Sequence, residues 1–180
     1  MPEPQEVPTD AELISAWKAG DEAAATELVK RHAGAVARYL SAAGGREDVD
    51  DLVQEAFFRA FRRLESFRGT ASFRTWVMTI GSNVLKDQRR RESRRPVLEL
   101  EPHDIVDNAA SPYSSTVTRD LESRLQQIVE NLPAMQRDVF LLRAQQGTDY
   151  QEIADALGTS VGAARVHYHQ AVKRIRKALS

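Results

Sequence analysis

Cysteine is absent from the 180-residue sequence. That excludes a disulfide framework, a thiolate metal site and a cysteine nucleophile, and it suits a reducing compartment. Proline and glycine are sparse, at 7 and 9 residues, so the chain is neither collagen-like nor of low complexity. No apolar run approaches the ~18 residues of a membrane span, so no membrane insertion is expected. The opening residues MPEPQEVPTDAEL are acidic and have no apolar stretch of the kind a secretory signal needs. Histidine is scarce as well. His32, His103, His167 and His169 show no ligand spacing except His167-x-His169, whose members point to different faces of a helix. No catalytic set, metal or other cofactor is expected, and a cytoplasmic location is.

Net charge is also nearly absent, at -1, yet the charges are unevenly placed. Residues 1–30 are acidic, opposed only by Lys18 and Lys30. Residues 59–95 are strongly basic, opposed only by Glu65, Asp87 and Glu92. Residues 96–130 are acidic again, and the last twenty carry Arg165, Lys173, Arg174, Arg176 and Lys177 without an acid. Two basic patches in an acidic background make polyanions the first partner to consider. The alternative is that each patch is a solvated helix face.

What is present is helical grammar. Thr9-x-x-Glu12 reads as a capping box ahead of Leu13, Ile14 and Trp17. Gly20-Asp21 stops that helix and caps another, which buries Leu28, Val29, Val36, Tyr39 and Leu40. After the Gly44-Gly45 break, Val49, Leu52, Val53, Ala56, Ala60 and Leu64 repeat with a 3.6-residue period. A loop at Phe67–Thr70 precedes the stripe Phe73, Trp76, Val77, Ile80 and Val84. Nothing alternates like a strand for long. Residues 96–116 lose the pattern and read as an acidic linker. Leu121, Leu125, Ile128, Val129 and Leu132 resume it, and Pro133 suits the first turn of the next helix, which carries Met135, Val139 and Leu142 and ends at Gly147. The chain is therefore expected to be all-α: two small helical domains, 9–95 and 117–180, joined by the linker.

Within the second domain, Thr148-Asp149-Tyr150-Gln151 reads as a capping box. Tyr150, Ile153, Ala154 and Leu157 mark a short helix, Gly158 ends it, and Thr159 or Ser160 caps the next. Helix, tight turn and helix make a helix-turn-helix. Val161, Ala164, Tyr168, Ala171, Ile175 and Leu179 form the expected core stripe of the second helix. Gly162, Arg165, Val166, His169, Gln170 and Lys173 lie opposite, with the donors and small residues that a helix entering a major groove requires. Arg174, Arg176 and Lys177 suit phosphates. The alternative from these residues is a helical hairpin with a basic tail.

The first domain combines cations with aromatics. Separated strands expose base faces that stack on aromatic side chains. Phe67, Phe73 or Trp76, with Asn83 and Lys86, could hold unpaired bases while arginines grip phosphates, although Phe73 and Trp76 also lie on the buried stripe. One helix earlier, Asp51, Glu55, Phe58 and Arg62 share a face opposite Leu52, Val53, Ala56 and Ala60, which suggests a protein partner.

The segments DLVQEAFFRAF, FRGTASFRTWVMTIGSNVLKDQRRR and LPAMQRDVFLL…YQEIADALGTSVGAAR resemble bacterial RNA polymerase sigma factors of the extracytoplasmic-function group. The resemblance covers both domains in order. It implies a first domain (region 2) that binds the polymerase clamp helices and opens the promoter's -10 element, and a second (region 4) that binds the flap and reads the -35 element. It implies that Asp51, Gln54, Glu55 and Phe58 meet the clamp. Phe67, Arg68, Ser72, Phe73, Asn83 and Lys86 would read the flipped -10 bases, with Arg89, Arg90 and Arg91 on phosphates. Ser160, Arg165, Val166, His169, Gln170, Lys173, Arg174 and Lys177 would serve the -35 element. Where relatives often carry Gly-Thr-Val-Lys-Ser-Arg, this chain has Gly162-Ala163-Ala164-Arg165-Val166-His167, and Gln170 and Val172 stand where Arg is common. The centre of the recognition helix is therefore less cationic. The longer helical regions of primary sigma factors and the extra C-terminal domain of some subgroups are not expected.

The resulting expectation is a non-enzymatic initiation factor partnered by core RNA polymerase, promoter DNA and an anti-sigma factor. The rival is a free-standing helix-turn-helix repressor or activator, which would bind its operator without polymerase. A protein-interaction adaptor would leave both basic patches unexplained.

Overall fold

The computed structural model describes residues 7–45, 48–94 and 116–180. The expected acidic linker, together with Arg95 and His103, lies outside them. Every regular element among the described residues is helical: α1 (Asp10–Lys18), α2 (Glu22–Ala42), α3 (Val49–Arg62), α4 (Phe73–Arg94), α5 (Thr116–Glu130), α6 (Ala134–Phe140), α7 (Tyr150–Leu157) and α8 (Val161–Leu179).

The caps explain several boundaries. Thr9 and Glu12 form the reciprocal capping box of α1. Asp21 accepts from the Ala23 N–H at 2.9 Å and starts α2. At α7 the cap is Asp149, which accepts from the Glu152 N–H at 2.8 Å, so the box expected from Thr148 does not form. Glu152 turns its carboxylate away from its own helix. Pro133 is the N-cap of α6, one residue before the first helical turn. α6 runs into a π-helical turn, Leu141–Gln145, before Gly147 ends the segment with φ 69°.

α2, α3 and α4 enclose the N-terminal core around Leu28, Val36, Leu40, Leu52, Ala56, Val77 and Met78. α6, α7 and α8 enclose the C-terminal one around Val139, Leu142, Ile153, Ala164 and Ala171. Fully burying a single Leu or Val contributes about 1.5–3 kcal/mol, so these few side chains dominate each half's stability. Leu179 is exposed, so the core stripe of α8 ends at Ile175, one turn before the sequence periodicity does.

α4 departs furthest from its sequence pattern. Phe73, Val77, Ile80 and Val84 are buried as expected, and Trp76 is half-buried. Thr75, Met78, Thr79, Gly81, Ser82 and Leu85 are buried too. From Phe73 to Leu85 the helix has little free face, because α2 and α3 pack on one side and α6 and α7 of the C-terminal half approach the other. Gly81 lets α2 come close: a Cβ there would meet the Leu40 methyls at 3.0 and 3.2 Å. Gly44, at φ +100°, permits the turn after α2, where a Cβ would collide with the Arg89 guanidinium and the Glu130 side chain.

Candidate nucleic-acid and polymerase interfaces

On α3 the apolar stripe turns inward and leaves Asp51, Gln54 and Phe58 outside. Phe58 is 55% exposed, the Arg62 guanidinium lies 5.5 Å from its ring centroid, and no other large apolar group stands free on this helix. Glu55 is half-buried and accepts from Arg59 Nε at 2.6 Å. That bond, with a second from Arg59 to Asp87 at 3.2 Å, raises the Arg59 pKa despite partial burial. Asp51, Gln54 and Phe58 therefore form an exposed acidic and aromatic face, while Glu55 is paired within its helix.

The loop before α4 is built on aromatic packing. Phe73 is only 2% exposed, and its ring contacts Phe61, Phe67, Trp76 and His32 at centroid distances of 5.8–6.3 Å. Its expected role as a base-stacking surface is corrected here: no face of the ring is free. Phe67 and Trp76 are half-buried and lie 5.0 Å apart. Arg68 and Ser72 are exposed at the loop's edge. Asn83 projects from α4 to solvent.

The basic end of α4 divides. Arg90 and Arg91 are exposed. Arg89 turns inward and donates from Nη2 to the Ala43 carbonyl at 2.9 Å, closing the C-terminal end of α2, where a cation is favoured. Burial, followed by repulsion from Arg137, pulls its pKa down. Lys86 reaches out of the N-terminal half altogether. Its Nζ lies 2.7 Å from Asp138 Oδ2, on α6.

Asp138 is fully buried. Its other oxygen accepts from Ser82 Oγ at 2.7 Å and from the Tyr39 hydroxyl at 3.3 Å. Burial, reinforced by the adjacent Asp138 charge, holds the Tyr39 pKa well above its ordinary value, so the phenol stays a donor. A second polar contact joins the halves: Ser72 donates to Glu152 Oε1 through Oγ at 2.7 Å and through its backbone N–H at 3.0 Å. Tyr39, Ser82, Asp138 and Glu152 were not singled out from the sequence. One sign was there for Asp138, an acid at the i+3 position from Met135 and i−4 from Leu142, on the apolar stripe of its helix.

The helix-turn-helix presents itself differently. Gly158, at φ 64°, ends α7 in the left-handed conformation, and Ser160 caps α8 by accepting from the Ala163 N–H at 3.1 Å. Tyr168 packs against Phe140 and Tyr150, fixing α8 on its scaffold. Arg165, Val166, His169, Gln170, Lys173, Arg174 and Lys177 all face solvent. Arg165 also lies over the Tyr150 ring, 5.6 Å from its centroid, and Gln170 Oε1 accepts from Gln136 Nε2 at 2.9 Å. Both side chains are thereby held in place on the scaffold.

Two helical halves in this order, one with an aromatic-and-basic helix and one with a helix-turn-helix whose second helix is exposed, have a counterpart among known families. Residues 28–95 match Sigma-70 region 2 and residues 122–175 match Sigma-70 region 4. The sequence is 31% identical over 176 residues to the ECF RNA polymerase sigma-E factor of Haemophilus influenzae, covering 93% of both chains. The chain belongs to the ECF sigma factors of bacterial RNA polymerase. This sigma factor is similar in structure to CnrH, solved in complex with the cytosolic domain of CnrY, at 28% identity and TM-score 0.70 over 94% of this chain and 96% of that one. The fold also matches the sigma factor RpoE solved with the anti-sigma factor NepR from Bartonella quintana, at 21% identity and TM-score 0.66 over 86% and 95% of the two chains. As a sigma factor it binds core RNA polymerase and directs promoter-specific transcription initiation. Among the described residues, no helix is long and apolar enough to cross a membrane, and no three His, Cys, Asp or Glu side chains converge as a metal site.

Proposed function

We propose that residues 9–95 act as the clamp-binding and -10-melting domain, and residues 117–180 as the flap-binding, -35-reading domain. Asp51, Gln54 and Phe58 meet the polymerase clamp, with Glu55 holding Arg59 at the edge. The -10 bases, once out of the stack, are read by Asn83 and by the rim of the Phe67–Ser72 loop, while Arg90 and Arg91 take phosphates. Arg165, Val166, His169 and Gln170 face the -35 bases, and Lys173, Arg174 and Lys177 the flanking phosphates. The factor contributes no catalytic group of its own and works in the cytoplasm, where the polymerase is. A further protein partner fits by analogy with CnrH, which was solved with the cytosolic domain of CnrY.

One observation carries this reading. The donor face of α8 is wholly exposed, on a helix whose opposite face and N-cap are fixed. Run-off transcription with core polymerase, on the promoter upstream of the chain's own gene, tests it. Transcripts should require both core enzyme and this chain. Tight, sequence-specific duplex binding without polymerase, and no run-off product with it, would identify a free-standing regulator instead. Asn83→Ala tests the -10 assignment. It should impair binding and base preference on a template with a mismatched, pre-melted -10 segment, since an amide reaches a base edge only after the base has left the stack. Normal behaviour on that template removes Asn83 from the reading set.

A further inference from the structure

The exposed face of α8 is tied to α6 by one amide pair. Gln136, on α6, is buried and donates from Nε2 to Gln170 Oε1 at 2.9 Å, between residues 34 apart in the chain. The Gln136 carbonyl oxygen is itself buried, with no hydrogen-bond partner among the described residues. An apolar side chain would leave no such orphan, so stability alone does not account for an amide at this place. What the amide supplies is the bond to Gln170. Turning both amides over would bury an unmet amino group instead of an unmet carbonyl, and orphaned N–H donors are the rarer fault.

Gln170 is exposed, one turn after Val166, while its neighbour Ala171 is buried against the scaffold. Its amide carries an acceptor and two donors on a single planar carbon. With the oxygen turned to Gln136, the amino group is what remains for a DNA groove. A glutamine reads adenine by using both groups together, the oxygen accepting from N6 and the nitrogen donating to N7. Gln170 has already given its oxygen to α6. Guanine presents two acceptors on the same edge, N7 and O6, and an amino group alone can serve them.

We infer that Gln136 is a positioning residue for -35 recognition: it holds the Gln170 amide with its donors outward, so that the base pair facing Gln170 is read as guanine in preference to adenine. The inference rests on the proposed reading of α8 as the -35 helix. Gln136 is too buried to touch DNA and acts through Gln170. Its effect is one of pre-organisation, since one of two amide orientations is chosen before the groove is entered.

Run-off transcription with core polymerase, on templates that carry each base pair in turn at every -35 position, tests this. Gln170→Ala should abolish preference at one pair, which identifies the pair that Gln170 faces. In the unaltered chain guanine should be favoured over adenine there. Gln136→Leu releases the amide to read adenine with both groups, and should lower the guanine-to-adenine ratio at that pair about fivefold or more. Preference at the other -35 pairs should stay as it was. Gln136→Met, unbranched and of similar length, serves if the leucine variant fails to fold. In a Gln170→Ala background, Gln136→Leu should change no preference further, a result that a general loosening of α6 against α8 would not give. Any preference other than guanine over adenine at the Gln170 pair of the unaltered chain overturns the inference and leaves α8 as the -35 helix. So does a guanine preference that survives the Gln136 substitution, a loss spread over every -35 pair, or an effect of Gln136→Leu that persists without Gln170. Unchanged preference at every pair in Gln170→Ala removes Gln170 from the readers, and overturns the inference together with that part of the proposed function.

Discussion

α4 and α8 are both amphipathic helices that end in arginine and lysine, yet they meet opposite circumstances. α8 rests on one side against α6 and α7 and shows its other side to solvent. α4 is largely enclosed from Phe73 to Leu85, with Asn83 left outside, and its lysine is paired with an acid from the other half of the chain. A cation on a helix is thus no measure of an available binding site. What decides is whether the fold already supplies an anion. On the proposed reading, α8 is open to a -35 duplex as it stands, whereas the Lys86 position of α4, on the -10 side, is already paired.

The sharpest way to break the comparison is to test burial itself. Phe73→Ala empties the centre of the aromatic cluster before α4 and should cost about 3–5 kcal/mol in denaturant unfolding. Val166→Ala, on the open face of α8, should stay within about 0.5 kcal/mol. Near-equal values would return Phe73 to the surface and to base stacking.

Arg165→Ala sharpens the α8 side. A guanidinium can bond a guanine edge with two parallel donors, worth about 1–3 kcal/mol of discrimination. In polymerase holoenzyme the variant should relax preference at one or two adjacent -35 base pairs. Lys177→Ala should instead weaken all sequences alike and make the log-log salt slope shallower by about one unit or less. An unaltered -35 preference in the Arg165 variant would pass the reading role to His169 and Gln170.

Charge reversal on α3 asks whether an exposed acidic face behaves like the exposed basic one. Asp51→Lys should lower core-polymerase affinity, with a folding change within about 0.5 kcal/mol. Glu55→Lys also breaks the pair with Arg59 and should add a helix penalty of about 0.3–0.5 kcal/mol. Native-like circular dichroism with unchanged core affinity in both variants would remove the clamp assignment.

The smallest effect expected is one of pH. Burial would raise the Glu152 pKa, but hydrogen bonds from Ser72 and Thr75 outweigh it and the smaller repulsion from the like charge of Asp149, and leave the group below its ordinary value. A depressed carboxylate pKa means that the charged form favours contact. The Glu152 contribution is therefore complete above the ordinary carboxylate range and disappears as pH falls through the depressed value. Stability in denaturant unfolding should therefore hold at neutral pH and fall in acid, by less in Glu152→Gln than in the unaltered chain. The same acid loss in both proteins would contradict the assigned role of Glu152.

Much of this molecule follows from local sequence. Thr9-x-x-Glu12, Asp21 and Gly158 set helix ends by hydrogen bonds and left-handed turns that span only a few residues. The helical period of α3 placed Asp51, Phe58 and Arg62 outside, though Glu55 of the same face is half-buried, and that of α8 placed Arg165, Val166, His169, Gln170 and Lys173 outside, because a helix with one buried stripe has its exposed face determined by the same count. Periodicity reports that a face is covered but never by what. Phe73 could be read both as core and as base platform until the rings around it were located. The anchoring of α4 to the C-terminal half was not legible at all. Asp138 lies 99 residues from Tyr39, 56 from Ser82 and 52 from Lys86. No local rule links groups so far apart in the chain. Only the packing of the two helical halves brings one buried carboxylate within reach of all three donors, and so pairs a lysine that the sequence leaves apparently open.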